Sequence, residues 1–306
     1  MLHIKNLDEG LEVFKALGSE LRIRIVKLLL ENREMNINEL ASALGVTNGA
    51  LTSHIRKLEE SGIVKILLER TGHGNQKVCR VDVDKILVEV VSDEAEEEGN
   101  VFVTDIPVGQ YMDYEAYPTC GLATATALIG EADDPRYFAH PDRMSAEILW
   151  FGRGYVEYII PTLLPPSTKI DQITLSLEMS SEAPGVNNDW PSDIYFYLNG
   201  VNIGMWTSPG DFGDVRGIFT PDWWFPNWNQ YGLLKMIKID KKGTFVDGLK
   251  ISDVNIRQFE LDYKSTIRFR FEVPKDAQNV GGLTIFGSKF GNYSQAIQAR
   301  IAYSPM

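Results

Sequence analysis

The chain has 306 residues, 30 basic and 42 acidic side chains, a net charge of −12, and only two cysteines, Cys79 and Cys120. Two cysteines exclude a disulfide scaffold and fit a reducing compartment, and no apolar run approaches the roughly 20 residues that span a bilayer. With no signal-peptide pattern at its start and ample length for two cores, the sequence reads as a cytoplasmic, non-membrane protein of two domains.

Helical periodicity first appears over residues 11–17 and 20–31. The stretch NINELASALGVTNGALTSHIRKLEESG, residues 36–62, then sets two short helical patterns around a tight Gly45-Val46 turn. The first places Leu40, Ala41 and Leu44 on one face. Thr47 is a good N-cap for the second, because its hydroxyl can accept a hydrogen bond from an orphan backbone N–H. Leu51, Ile55 and Leu58 recur at i, i+4, i+7, so at about 100° per residue Asn48, Gly49, Thr52, Ser53 and Arg56 fall on the opposite face. An apolar back with a small, polar, basic front suits the major groove of double-stranded DNA. Gly62 stands where a helix end takes a left-handed residue. Residues 63–69 and 77–83 read as two strands around Arg70, Gly72, His73, Asn75 and Gln76, a β wing for a phosphate backbone. The spacing predicts a winged helix-turn-helix.

The charge supports that reading. Between Thr47 and Val81 six Lys/Arg face three Glu, a local balance of +3 inside an acidic chain. Residues 1–91 carry 13 basic and 13 acidic groups, which leaves 17 against 29 beyond them. One basic face on an acidic protein directs nucleic acid to that face. The candidate DNA contacts are Thr47, Asn48, Gly49, Thr52, Ser53, Arg56 and Lys57 on the helix, with Arg70, His73, Asn75, Gln76 and Lys77 on the wing. His54 lies nearer the apolar face, where a positioning role is expected. A single winged helix makes few phosphate contacts, so a homodimer on a palindromic operator is expected, its interface made by one N-terminal helix over residues 2–17 and by the second domain.

Two segments of this region, ALGSELRIRIVKLLLEN and LASALGVTNGALTSHIRKLEESGIV, resemble the entry helix and the recognition signature of ArsR-type winged-helix repressors. Leu40, Ala41, Leu44, Gly45, Thr47, Leu51, His54, Leu58, Gly62 and Val64 carry the match, over about the first 85 residues. The resemblance implies a winged-helix fold and DNA binding. The chain departs from the family after the wing: ArsR-type proteins end there in a dimerising helix, and this chain has only residues 84–91, open to helix or strand. The Cys-x-Cys of the metal-sensing branch is missing from residues 38–44, so no metal is expected.

Ser92 to Asn100, SDEAEEEGN, is an acidic run that reads as a linker, placing the domains at 1–91 and 101–306. Alternating apolar and polar residues then recur over 154–161, 172–179, 193–198, 201–206, 234–239, 265–273 and 296–303. Asn199-Gly200 between two of these runs is a strong hairpin signal. Eight to ten short strands without a long helical pattern predict a multidomain α+β chain whose second part is an antiparallel β-sandwich, jelly-roll-like. The hairpin YFYLNGVNIGMW resembles strands of galactose-binding and carbohydrate-binding-module sandwiches.

All six tryptophans lie in this part, and Trp223, Trp224 and Trp228 crowd into PDWWFPNWNQYG. Aromatic faces stack on sugar rings, and Asn187, Asn188, Asp189, Asp211 and Asp214 could hydrogen-bond the hydroxyls. The candidate ligand residues are therefore Asn187, Asn188, Asp189, Trp190, Trp206, Asp214, Trp223, Trp224 and Trp228, with a saccharide effector. Cys120 reads as a small buried hydrophobe. No nucleophile motif, Gly-rich phosphate loop or cofactor signature is visible, so no enzyme and no cofactor are expected. Three functions remain open: a regulator whose sandwich senses a ligand, a regulator whose sandwich only dimerises or recruits protein, and a carbohydrate-active enzyme with a degenerate N-terminal domain.

Overall fold

The computed structural model describes residues 2–4, 7–71, 74–83, 85–88 and 100–306, with the backbone alone for residues 3, 68–71, 74–76 and 87. Two compact units divide it, Met1–Glu97 and Glu98–Met306.

The first unit runs β1 (Leu2–Ile4), α1 (Leu11–Leu17), α2 (Glu20–Asn32), β2 (Glu34–Asn36), α3 (Ile37–Leu44), α4 (Asn48–Glu60), β3 (Val64–Thr71), β4 (Gly74–Val81) and β5 (Ile86–Val88). A capping box starts α3: Asn36 Oδ1 accepts from Glu39 N at 3.0 Å, and Glu39 Oε2 accepts from Asn36 N at 2.8 Å. Gly45, at φ +67°, ends the helix in the left-handed conformation that a side chain would disfavour. Thr47 Oγ1 then accepts from Ala50 N at 3.3 Å and caps α4, an interaction worth about 1 kcal/mol. Ile25, Leu29, Leu40, Leu51, Ile55, Leu58 and Ile63 close one core, and β2, β4 and β3 form an antiparallel sheet beside it.

Residues 2–17 are not one helix. Leu2–Ile4 is a strand paired parallel with Ile86–Val88, and the helix begins only at Leu11. Burial of Ile4, 3% exposed, shows what overrides local propensity here: the strand covers the core with the segment that follows the wing. That segment, in which helix and strand were equally open, is strand because β1 supplies its ladder partner.

The second unit holds β6 (Asn100–Ile106), β7 (Asp113–Ala123), β8 (Ile148–Ile160), β9 (Thr168–Ser180), β10 (Ser192–Leu198), β11 (Val201–Ser208), β12 (Leu233–Asp240), β13 (Gly243–Val246), β14 (Leu249–Ser252), β15 (Ile267–Val273), β16 (Leu283–Phe286) and β17 (Ile297–Pro305). These twelve make one connected antiparallel sheet folded into a barrel-like sandwich. One run is β7-β8-β15-β10-β11 and the other β6-β17-β9-β12-β13-β14, joined by β16, which pairs with both β8 and β9. Alternation works as the sequence predicts on β15, where Ile267, Phe269, Phe271 and Val273 face the core between charged residues. Asn199 and Gly200, at φ +47° and +81°, form the hairpin turn between β10 and β11. The count exceeds the eight to ten expected because short strands such as β13, β14 and β16 do not alternate. All four residues of β16 are buried, and a strand covered on both faces loses its period-2 signature.

Candidate functional site

Helix α4 buries Leu51, Ile55 and Leu58 at 1% exposure or less, which turns Asn48, Gly49, Thr52, Ser53, Arg56 and Lys57 outward, all exposed along with Thr47. Thr52 Oγ1 donates to Asn48 O at 2.7 Å and Ser53 Oγ to Ala50 O at 2.8 Å, so both hydroxyls are fixed by their own helix and keep accepting lone pairs free. Asn48 Nδ2 donates to Asn38 Oδ1 at 2.7 Å. Arg56 Nε donates to Glu60 Oε1 at 2.8 Å across an exposed i, i+4 pair, which is worth only a few tenths of a kcal/mol and yields readily to a phosphate or base. Behind this face, Arg22 of α2 donates through Nε to Ala16 O (2.5 Å) and through Nη2 to Lys15 O (2.6 Å), capping the last carbonyls of α1. Its Nη1 lies 3.3 Å from Nδ1 of half-buried His54, so three helices meet at one guanidinium. On the sheet, Lys65 of β3 and Lys77 of β4 are exposed.

In the second unit Trp150, Trp224, Ala123, Ile148, Phe286 and Phe290 form a small separate core, with Trp223 and Trp228 packed on it. Trp224 is fully buried, and its indole N–H donates to Asn229 O at 2.8 Å. It meets Trp150 and Trp228 edge to face, at centroid distances of 5.6 and 5.0 Å. Beside this cluster opens a cleft of ≈ 180 Å³ lined by Trp150, Trp228, Asn229, Glu182, Asp133 and Thr119, among others. Glu182 is buried and accepts from Asn229 Nδ2 at 2.9 Å, from Thr284 Oγ1 at 3.0 Å and from the Thr119 side chain. Next to it is Asp211, fully buried, whose Oδ2 accepts from Ala183 N at 3.0 Å while Oδ1 has no donor. Burial, and then repulsion from Asp211, push the Glu182 carboxyl well above the carboxylate range, and burial pushes Asp211 up to about 7. Glu178 shows the contrast: equally buried, it accepts the N–H groups of Gly232 (2.7 Å), Asn292 (2.9 Å) and Tyr293 (3.0 Å), the environment of a structural carboxylate. A larger depression of ≈ 410 Å³ beside Lys169, Asp171, Lys241 and Arg257 has no aromatic wall.

Residues 19–65 match the family of winged helix-turn-helix DNA-binding domains. An uncharacterised HTH-type transcriptional regulator of Methanocaldococcus jannaschii is 32% identical over 68 residues, covering 22% of this chain and 76% of that protein. The chain belongs to the winged helix-turn-helix transcriptional regulators. The transcriptional activator HlyU of Vibrio cholerae is 35% identical over 60 residues, 20% of this chain, and the chain spans 55% of that relative's length. Among solved structures, the homodimeric winged helix-turn-helix domain of a possible ArsR-family regulator of Mycobacterium bovis aligns at 27% identity and a TM-score of 0.22, over 24% of this chain and 65% of that one. A carbohydrate-binding module solved with calcium and xylotriose aligns at 9% identity and a TM-score of 0.28, over 66% of this chain and 99% of that one.

In this regulator the helix residues read from the sequence share one exposed face. The wing differs from the expected loop: Arg70 pairs with Asn75 and Glu69 with Gln76, so these positions lie on β3 and β4. Gly72 and His73 lie outside the described residues. The entry segment ALGSELRIRIVKLLLEN contains Arg22, and only the structure assigns that arginine a task, holding α1 and His54.

Of the residues read as ligand contacts, Trp228 alone lines the cleft. Trp224 is a core residue, since its indole is enclosed by other rings. Trp223 is tied to the fold by its Nε1 donating to Ala125 O at 2.7 Å. Trp206 stands on β11 with Lys235 Nζ 4.4 Å from its ring centroid, packed against the main core. Asn187, Asn188 and Asp189 are exposed, Trp190 half-buried, and Asp214 accepts from Tyr231 Oη at 2.7 Å. Asn187 and Asp211 exchange backbone hydrogen bonds of 3.1 and 2.9 Å, which link that turn to the buried acid. Trp150, Glu182 and Asn229 were missed as site residues. A glutamate just past the end of an alternating run and before Pro184-Gly185, in SLEMSSEAPG, is the sequence signal that marks Glu182. The buried Cys120 thiol is pushed up to about 12, by burial first and Asp133 second, which makes it inert rather than a redox switch.

Proposed function

We propose that this protein is a one-component, cytoplasmic transcription regulator: residues 1–91 read a palindromic operator as a homodimer, residues 92–100 link the domains, and residues 101–306 bind a polar small molecule, a saccharide, that sets DNA affinity. The exposed, basic, hydrogen-bonding face of α4 carries the DNA part of this reading. The Trp150–Trp228 cleft, floored by Glu182 and Asn229, supports the effector part, because an aromatic wall with convergent polar groups is what such a ligand requires. No catalytic step is assigned. The effector must bind the DNA-competent and incompetent states unequally, and a coupling of about 1–3 kcal/mol suffices. A second reading, in which the sandwich serves only dimerisation or protein recruitment, draws support from Trp223 and Trp224, both engaged within the fold.

Arg56→Ala is expected to weaken operator binding by about 1–3 kcal/mol and relax specificity at one base pair. Lys77→Ala should weaken all sequences alike and flatten the salt dependence, its contact being to phosphate. Fluorescence anisotropy on promoter fragments over a salt series, with light scattering of the free protein and the complex, tests both points. Unchanged binding by both variants would remove the assigned recognition surface; a monomer with and without DNA would remove the dimer.

A further inference from the structure

We infer that the cleft beside Trp150 and Trp228 recognises a cation, an organic ammonium group, with Glu182 and Asp211 as its counter-charge and the indoles as its walls. The inference rests on the proposed ligand-sensing role of this unit and names the chemical class of the ligand.

Three observations carry it. Glu182 lines the cleft, and the wholly buried Asp211 beside it keeps Oδ1 without any donor. Burying a carboxylate oxygen with no partner is costly unless a proton or a cation accompanies it. The groups that meet Glu182 are Asp211, Asp133, Thr119, Thr284 and Asn229, and the residues lining the cleft include no lysine, arginine or histidine. The two acids therefore stand without a protein cation among the described residues around the cleft. Finally, Trp150 and Trp228 form its aromatic side, and a desolvated ring face attracts ammonium groups more strongly than neutral ones. The cavity of ≈ 180 Å³ is of the order that holds one six-membered ring.

In the free protein the pair retains a proton, consistent with burial raising both carboxyls. When an ammonium enters, its charge replaces that proton: the proton passes to solvent, no covalent bond forms, and the total charge balances. A neutral sugar would leave the proton in place.

The test titrates the full chain with glucose, glucosamine and piperidinium at about pH 6.5, where Asp211 is still mostly protonated. Calorimetry in two buffers of different ionisation enthalpy reads affinity and proton release together. Glucosamine should bind about tenfold or more tightly than glucose, with proton release; Glu182→Gln and Asp211→Asn should each remove most of that preference for glucosamine over glucose, together with the proton release. Thermal melts of both variants establish that they are folded. If glucose binds as well as glucosamine, with no proton released and no effect of Glu182→Gln, the cation assignment falls and saccharide sensing stands. Binding of piperidinium and glucosamine, but not glucose, supports the cation and argues against a neutral saccharide. If none of the three binds, both the cation assignment and the sensing role fall.

Discussion

Trp224→Ala is expected to destabilise the second unit by about 3–5 kcal/mol, the range for truncating a fully enclosed tryptophan. The indole has no exposed surface, meets Trp150, Trp228, Trp223 and Phe290 edge to face at 5.0–5.6 Å, and donates to Asn229 O at 2.8 Å. Truncation leaves a cavity among rigid rings that cannot collapse into it. It also removes the donor of a buried carbonyl on the residue that reaches Glu182, so the cleft should lose its floor with its support. Because every tryptophan lies between residues 150 and 228, indole fluorescence reports this unit alone during urea denaturation. Trp228→Ala, at the partly exposed rim, should cost clearly less. A Trp224→Ala loss below about 1 kcal/mol would show that the cluster is not a core.

Asp211→Asn is expected to change how stability depends on pH. The folded-state value near 7 lies above the ordinary carboxylate value near 4, so between the two the native state holds a proton that the unfolded chain has released. Stability from this group is therefore fully present below about pH 4 and is lost as pH rises towards 7. The loss is of the order of 4 kcal/mol, from about three pH units at 1.36 kcal/mol each, and Glu182 contributes in the same direction. Asparagine cannot ionise. The variant should melt close to wild type near pH 4 and gain on it steadily to about pH 8, by the order of 10 °C in a unit of this size. Titrations away from this pair are common to both proteins, so the difference in melting temperature reports Asp211 together with Glu182, whose carboxyl Asp211 helps to raise. A difference that does not move with pH would mean that Asp211 is ionised in the folded state.

What the sequence determined by itself is what repeats locally. The i, i+4, i+7 spacing of Leu51, Ile55 and Leu58 dictates which face of α4 is exposed, since the helix period leaves no other choice, and Thr47, Gly45 and Gly62 mark its ends through local backbone chemistry. The same holds for β15 and for the Asn199-Gly200 turn, where period-2 alternation and positive φ are properties of adjacent residues. Tertiary structure decided the rest. Leu2–Ile4 is strand only because Ile86–Val88 lies alongside it. The tryptophans of PDWWFPNWNQYG look alike in sequence, yet Trp224 is core and Trp228 is rim, because Phe286 and Phe290 come from distant segments to join Trp150 in one buried cluster with the first, while the second packs on the outside of that cluster. The cleft itself joins Asp133, Trp150, Glu182 and Asn229, with Asp211 behind them, from five separate segments. No period or spacing relates those positions; the closing of the sheet brings them together, and the water it excludes is what gives the two acids their unusual chemistry.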